Sequence, residues 1–466
     1  MRPRTAILTA ALPCLLLLGW ALPQTAAQQQ PPPADPNAAA AQAPEQTGQL
    51  ILELSRRARG QKIKLAFPAV RGTGQLSGEA ARAARELEET VRRDLDFSGY
   101  FEIQGPDVLS GLRLTGNVQE DLPVYRSTGN QILLLGDARA EGDRVVFEGR
   151  LFDLSSGQAI LAKRYRGPFN SARRIGHTFA DEVIRFLTGN SGVALSTIAF
   201  TSDRTGKGLK EIFLMDYDGA DQRRITGHRS TSMSPAWSPD GGSIAYTSFF
   251  NGQPGIYLAD VATNRKRPVV SSGSLNTSPS FAPDGRRIAL ARSVDGNVEI
   301  FTADLNGGNL RRLTNSQAID TNPAWSPKGG EIAFTSSRAG NPHIYLMDAE
   351  GANQRRLTFD GAYNDGASWS PEGDLIAYAS RRDGEFQIAV TNVVTLETQV
   401  LTSGPGGNES PTFSPDGRKI AFTSRRGGSK QIYVMDLDGS NVRQLTTEGN
   451  NDLADWSRAA AAGAGQ

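Results

Sequence analysis

Ser234-Pro235-Ala236-Trp237-Ser238-Pro239-Asp240-Gly241 settles the architecture of this chain, because the chain repeats it. It returns as Ser-Pro-Ser-Phe-Ala-Pro-Asp-Gly from Ser278, Asn-Pro-Ala-Trp-Ser-Pro-Lys-Gly from Asn322, Ala-Ser-Trp-Ser-Pro-Glu-Gly from Ala367 and Ser-Pro-Thr-Phe-Ser-Pro-Asp-Gly from Ser410. The aromatics Trp237, Phe281, Trp325, Trp369 and Phe413 recur about every 44 residues, the length of a four-stranded propeller blade. Proline cannot donate to a ladder, so Pro239 or Pro415 ends a strand, and the Asp-Gly that follows gives the backbone freedom of a tight turn.

Each motif leads into an apolar strand such as Ile244-Ala245-Tyr246, a second such as Ile344-Tyr345-Leu346-Met347, and a short basic one such as Arg355-Arg356-Leu357-Thr358. Counting the first of these at Ile198, Ile244, Ile288, Ile332, Ile376 and Ile420 predicts a six-bladed β-propeller over residues 193–458. The unit at Ile198 lacks its own Trp-Ser-Pro, whereas the chain ends on Asp455-Trp456-Ser457, so the last strand is expected to complete the first blade.

Residues 48–190 read as a small α/β domain. A strand at Ile63–Phe67 precedes a helix with Ala80, Ala84, Leu87, Val91 and Leu95 on one face, stopped at Gly99. Strands follow near 101–103, 132–135, 145–152 and 159–165, then a helix carrying Ile175, Phe179, Val183 and Phe186. The pattern predicts two helices on a mixed sheet.

Arg2 and Arg4, an apolar run from Ala6 to Leu18 and Thr25-Ala26-Ala27 make residues 1–27 a secretory signal peptide, too short in its apolar run to span a bilayer. Cys14, the only cysteine, falls inside it, so the mature chain has no disulfide, which suits a bacterial periplasm. The Gln/Pro/Ala tract at 28–47 is expected to be a disordered linker and 459–466 a flexible tail. Fifty Lys and Arg against 49 Asp and Glu give no reason to propose nucleic acid as a partner.

Enzymatic readings find little support. No Gly-x-Ser-x-Gly accompanies the propeller, so peptidase chemistry lacks its nucleophile. A metal-dependent sugar lyase needs several imidazoles or carboxylates converging in the channel. Of three histidines, His177 lies on a front-domain helix and His343 in a blade hairpin, leaving at most His228 for the channel; all three read as surface or structural. Asp216-Tyr217-Asp218-Gly219 resembles the start of a calcium loop but lacks its distal ligands, and reads as a hairpin turn. No catalytic, metal or cofactor site is expected.

One constellation stands out. Five residues before each aromatic stand Ser232, Asn276, Asp320, Asn364, Asn408 and Asn451, followed by Met233, Thr277, Thr321, Asp365, Glu409 and Asp452. These positions ring one mouth of the channel, and loop faces on a rigid scaffold are where propellers bind. The candidate partner-binding residues are Asn276, Thr277, Asp320, Thr321, Asn364, Asp365, Asn408, Glu409, Asn451 and Asp452. The alternative is that such residues only make Asx-type turns.

The repeat Ser-Pro-x-Trp-Ser-Pro-Asp-Gly-x-x-Ile-Ala-Phe-Thr-Ser, continuing to Ile-Tyr-x-Met-Asp-x-Asp-Gly and Arg-x-Leu-Thr behind an α/β domain and a signal peptide, resembles the TolB family of the Tol-Pal envelope system over about Gln49 to Trp456. The resemblance implies a non-enzymatic, monomeric periplasmic scaffold. It would bind the lipoprotein Pal at the propeller's channel face and TolA through the start of the mature chain, here Gln49–Leu54, and assist outer-membrane invagination in cell division. The competing class is an exported propeller enzyme acting on oligosaccharides. Neighbouring genes for Pal and TolA would favour the scaffold, and polysaccharide-utilisation genes the enzyme.

Overall fold

A computed structural model of the chain describes residues 60–457 except 73, 74 and 207, together with Glu53, Arg56 and Arg57. The expected leader, linker and tail, and the Gln49–Leu54 segment apart from Glu53, lie outside the described residues.

The front domain runs Ile63–Ala66 (β1), Gly78–Ser98 (α1), Phe101–Gln104 (β2), Pro106–Leu109 (α2), Val118–Ser127 (α3), Ile132–Glu141 (β3), Arg144–Asp153 (β4), Gln158–Pro168 (β5) and Ala172–Thr188 (α4). Its sheet is ordered β2-β1-β3-β4-β5. β1 pairs in parallel with β2 and β3, and the remaining pairs are antiparallel, which makes the sheet mixed. The long helices α1 and α4 lie on one face, where Leu87, Val91 and Leu95 meet Phe147, Phe179 and Val183 in one core. Gly99 stops α1 in the left-handed region at φ 74°, which glycine enters without steric cost.

Two shorter helices were not expected. α3 is polar, carries Pro123 inside it and starts at Asn117, whose side chain accepts from the Gln119 amide, so its apolar periodicity is faint. Phe186 also departs from the expected face. It is half exposed, and Ile184 takes the buried place.

The propeller consists of six four-stranded sheets. In the first, Asn451–Trp456 forms the inner strand against Thr197–Ser202, so the end of the chain closes the ring. The repeated Ile-Ala-aromatic strands alternate across the pleat and fill the seams between blades. Ile244 and Tyr246 pack on Ile212 and Leu214, for example.

The front domain rests on the turns that join the inner to the second strands and the third to the outermost. Tyr217, fully buried in the hairpin Asp216–Gly219, stacks edge-on against Phe97 of α1 at 4.7 Å, and its hydroxyl donates to Asp94. Asp94 also binds Nδ1 of His177 on α4 at 2.7 Å, so one buried carboxylate joins both helices to the propeller. Arg173 and Arg93 hold Asp218 at 2.8 and 3.1 Å. The turn that resembled a calcium loop is therefore a docking hairpin. Asp181 of α4 accepts from the amides of Ala194 and Leu195 in the connecting segment, and burial pushes its pKa up to about 7.

Candidate functional site

The mouth opposite the front domain is built by a bulge repeated six times. Asn276 and Thr277 pair with Arg292 and Ala291, but the next pair is Ser280 with Ala289, so Ser278 and Pro279 face Leu290 alone. The same shift recurs in the other blades. At each shift the residue after the candidate pair sits at positive φ: Ser234 53°, Ser278 53°, Asn322 48°, Gly366 71°, Ser410 53° and Leu453 53°. Proline follows in four of the six, and a bulge tolerates its missing N–H.

The ten candidate residues divide by position. The first of each pair, Asn276, Asp320, Asn364, Asn408 and Asn451, is at most 1% exposed and spends its polar atoms inside a seam. Asn408 donates to Oε1 of Gln387 at 2.8 Å, Asn451 to Oε1 of Gln431 at 2.7 Å, and Asn364 contacts Nδ1 of His343 at 2.9 Å. The partner lies on the third strand of the preceding blade, and the threonine two residues after that blade's outer strand, Thr402, Thr446 or Thr358, completes the link. Oδ1 of Asn276, Asn408 and Asn451 accepts from Arg292, Arg426 and Arg204. The four asparagines staple neighbouring blades, Asn276 through the Pro254 carbonyl, while Asp320 is held by Arg338 of its own blade, and none of the five presents itself at the mouth, because their side chains point into the seam rather than along the channel. His343 is likewise a buried strand residue, held by Arg356 and Thr358, and not part of a hairpin surface.

The second of each pair stays nearer solvent. Thr277, Thr321, Asp365 and Glu409 are partly exposed, and Asp452 is 8% exposed. Asp365 gathers the Asn322 amide, the Thr335 hydroxyl and the Gly366 amide on one oxygen, each at 2.7 Å. Asn322 accepts in turn from Ser278 at 2.8 Å, so a polar chain follows the rim across three blades. Glu409 is paired with Lys430 at 3.1 Å and Asp452 with Lys210 at 2.9 Å. Sequence reasoning missed both lysines and the positive-φ residues. Lys210 and Lys430 stand in hairpins of variable sequence, while Ser/Asn before Pro was a visible signal for the bulge.

Below the rim, the side chains of Ser280, Ser368 and Thr412 accept from the amides of Trp325, Phe413 and Trp456 in the next blade. Asp455 does the same for Trp237 at 2.7 Å, and burial raises its pKa to about 6. Among the described residues, no group of three or more His, Cys, Asp or Glu is placed to hold a metal ion.

Comparison with known proteins adds the family. The TolB beta propeller domain matches residues 184–409 and 396–462, and the TolB amino-terminal domain matches 56–160. A Tol-Pal system protein TolB from Geobacter metallireducens is 39% identical over 183 residues, covering 39% of this chain and 42% of that protein. A TolB homolog from Chlorobium chlorochromatii is 35% identical over 188 residues, covering 40% and 42%. The chain thus spans 42% of the length of these two curated relatives. The crystal structure of TolB from Acinetobacter baumannii superposes with a TM-score of 0.74 at 28% identity, over 86% of this chain and 98% of that one. With both domains matched in the same order and the solved fold shared nearly end to end, the chain belongs to the TolB family of Tol-Pal system proteins.

Proposed function

We propose that this chain is a periplasmic, non-enzymatic scaffold of the Tol-Pal system, holding Pal at the polar mouth of the propeller. Through the segment around Gln49–Leu54 it reaches TolA, and so supports outer-membrane invagination during division and envelope integrity. The observation that carries this reading is the rim itself. Bulges recur on all six blades at one opening, where five of them place Thr277, Thr321, Asp365, Glu409 and Asp452, and the three acids are fixed in place by neighbours rather than left to swing. A preordered charged rim loses little entropy on binding and gives specificity to the encounter.

Titration calorimetry with purified Pal tests this. Replacing Glu409 by alanine and Asp365 by asparagine, which keeps an acceptor for Asn322, Thr335 and Gly366, is expected to weaken binding by more than about tenfold, equivalent to roughly 1.4 kcal/mol, with the melting temperature little changed. The pair Asp240 and Asp284, in Pro-Asp-Gly turns at the opposite rim, is expected to leave binding intact. If the two pairs behave alike, the mouth is not the Pal site.

A further inference from the structure

The outer edge of blades 1 and 2 differs from its equivalents in two independent ways. In three blades an arginine following the second strand lies over the aromatic pair at the rim. Arg204 covers Phe200 and Phe213, Arg338 covers Phe334 and Tyr345, and Arg426 covers Phe422 and Tyr433, at 4.9–5.4 Å from the ring centres. Blade 2 has the same aromatic pair, Tyr246 and Tyr257, at 6.1 Å, but Phe250 stands where the arginine would be. Phe250 is 52% exposed and rests at 4.7 Å on His228, which is held by the Tyr246 hydroxyl at 3.1 Å. The hydroxyls of Tyr257 and Ser230 beside them are buried and have no hydrogen-bond partner among the described residues.

The second difference is charge. Most outer-strand arginines of the other blades are ion-paired, Arg311 with Glu350, Arg312 with Glu299, Arg355 with Glu331 and Arg443 with Asp96, while Arg356 is held by His343 and the Thr358 carbonyl. Arg223, Arg224 and Arg229 are exposed, and neither they nor Lys266 enter an ion pair among the described residues; Lys266 donates only to Asn264. The Arg224 guanidinium folds over Gly227, next to His228. Burial and the charge of Lys266 hold His228 below its usual pKa, and burial holds Lys266 below its own, with the buried carboxylate of Glu211 opposing the shift at both groups and Arg224 adding to it at Lys266.

We propose that this edge binds a strand of acidic polysaccharide, one sugar face stacked on Phe250 and His228 and its carboxylates on Arg223, Arg224, Arg229 and Lys266. A flat exposed ring accepts the C–H face of a sugar, and cations outside any ion pair among the described residues, on the outermost strands of blades 1 and 2 and the loop after the first, suit a linear polyanion better than a compact ligand. A uronate polymer carries one carboxylate on every ring that can stack, so a single strand satisfies both features.

The probe is alginate, with uncharged dextran and single-stranded oligo-dT as comparisons, titrated at low salt into the full mature chain. Alginate is expected to bind, dextran not, and oligo-dT more weakly. Phe250→Ala and the pair Arg224→Glu with Lys266→Glu are each expected to weaken alginate binding by about fivefold or more, at unchanged melting temperature and unchanged affinity for Pal. The control pair Arg311→Glu with Arg355→Glu is expected to keep it. The proposal is overturned if wild-type protein does not bind alginate, if dextran or oligo-dT binds as well, or if Phe250→Ala leaves binding intact. It is also overturned if the control pair loses as much, or if Pal binding falls in parallel, since the edge would then belong to the Pal surface.

Discussion

Asp320→Asn is expected to stabilise the propeller, although it removes a charge from an ion pair. Asp320 occupies the stapling position where four of the other blades use asparagine, and its side chain is fully buried. Oδ2 accepts from Arg338 at 2.8 Å, while Oδ1 has no hydrogen-bond partner among the described residues. The third-strand group at this seam is Glu299, itself fully buried and already accepting from Arg312, Thr314 and the Ser316 amide. Two acids thus stand where neighbouring seams place a donor against an acceptor. Burial, reinforced by the charge of Glu299, raises the Asp320 pKa. Asparagine keeps an acceptor for arginine, as Asn408 and Asn451 do at 3.0 Å, and supplies the missing donor. A buried polar atom left unsatisfied costs about 1–3 kcal/mol. After subtracting the weakened contact with the partly exposed Arg338, a net gain of about 1 kcal/mol is expected, or roughly 2–4 °C in melting temperature. The sign with pH follows from the raised pKa. The folded carboxyl holds its proton to higher pH than the unfolded one, so wild-type stability falls as pH rises through that window, and asparagine removes the fall. Thermal melts at about pH 4 and about pH 8 should show the gain at the higher pH and little at the lower. An equal gain at both, or a loss at the higher pH, would refute the reasoning.

Ending the chain before Asp452 should open the ring and lower the melting temperature sharply, because Trp456 donates its indole N–H to Ser196 and fills the first blade's core, whereas removing 459–466 should be nearly silent; equal effects would sink the closure. Asp181→Asn should flatten the pH dependence of stability. The Asp181 pKa is raised to about 7 by burial, so wild type loses stability between about pH 4 and about pH 7, by roughly a few kcal/mol at most, and an unchanged slope would count against it. Tyr217→Phe strips a buried donor from Asp94 and should cost about 1–3 kcal/mol in chemical unfolding, with hydrogen exchange rising first in α1 and α4; exchange rising first in the far blades would contradict the docking role.

What the sequence disclosed was local in origin. Pro-Asp-Gly punctuation, alternating apolar strands and the period of the aromatics need only a few consecutive residues to be read, and together they placed every blade and the closing strand. What stayed hidden needs groups far apart in the chain. Asn408 finds Gln387 across 21 positions, and Asp94 finds His177 and Tyr217 across 83 and 123. Nothing near Asn408 says whether its amide turns outward or inward to a seam, so a ring of ten candidates looked uniform although five are buried in the seams and four of the others are partly exposed.

That division has a consequence for the mouth. The stapling asparagines lock four inner strands to the blades before them, two residues ahead of a position at positive φ that a non-glycine residue fills in five of the six blades. Such a backbone costs on the order of 1 kcal/mol per residue and persists only where its surroundings over-determine it. The buried Asn and Asp side chains supply that constraint, so their exclusion from the surface is what lets Thr277, Thr321, Asp365, Glu409 and Asp452 stand at fixed positions. Leu453 strains the rule most, having neither the side-chain hydrogen bond of Asn nor the freedom of Gly, and it lies between Asp452 and Asp455 on the strand that closes the ring. The same seam carries Lys210 on Asp452 at 2.9 Å and Lys430 between Glu409 at 3.1 Å and Asp452 at 3.9 Å, so two lysines set the positions of its two acids.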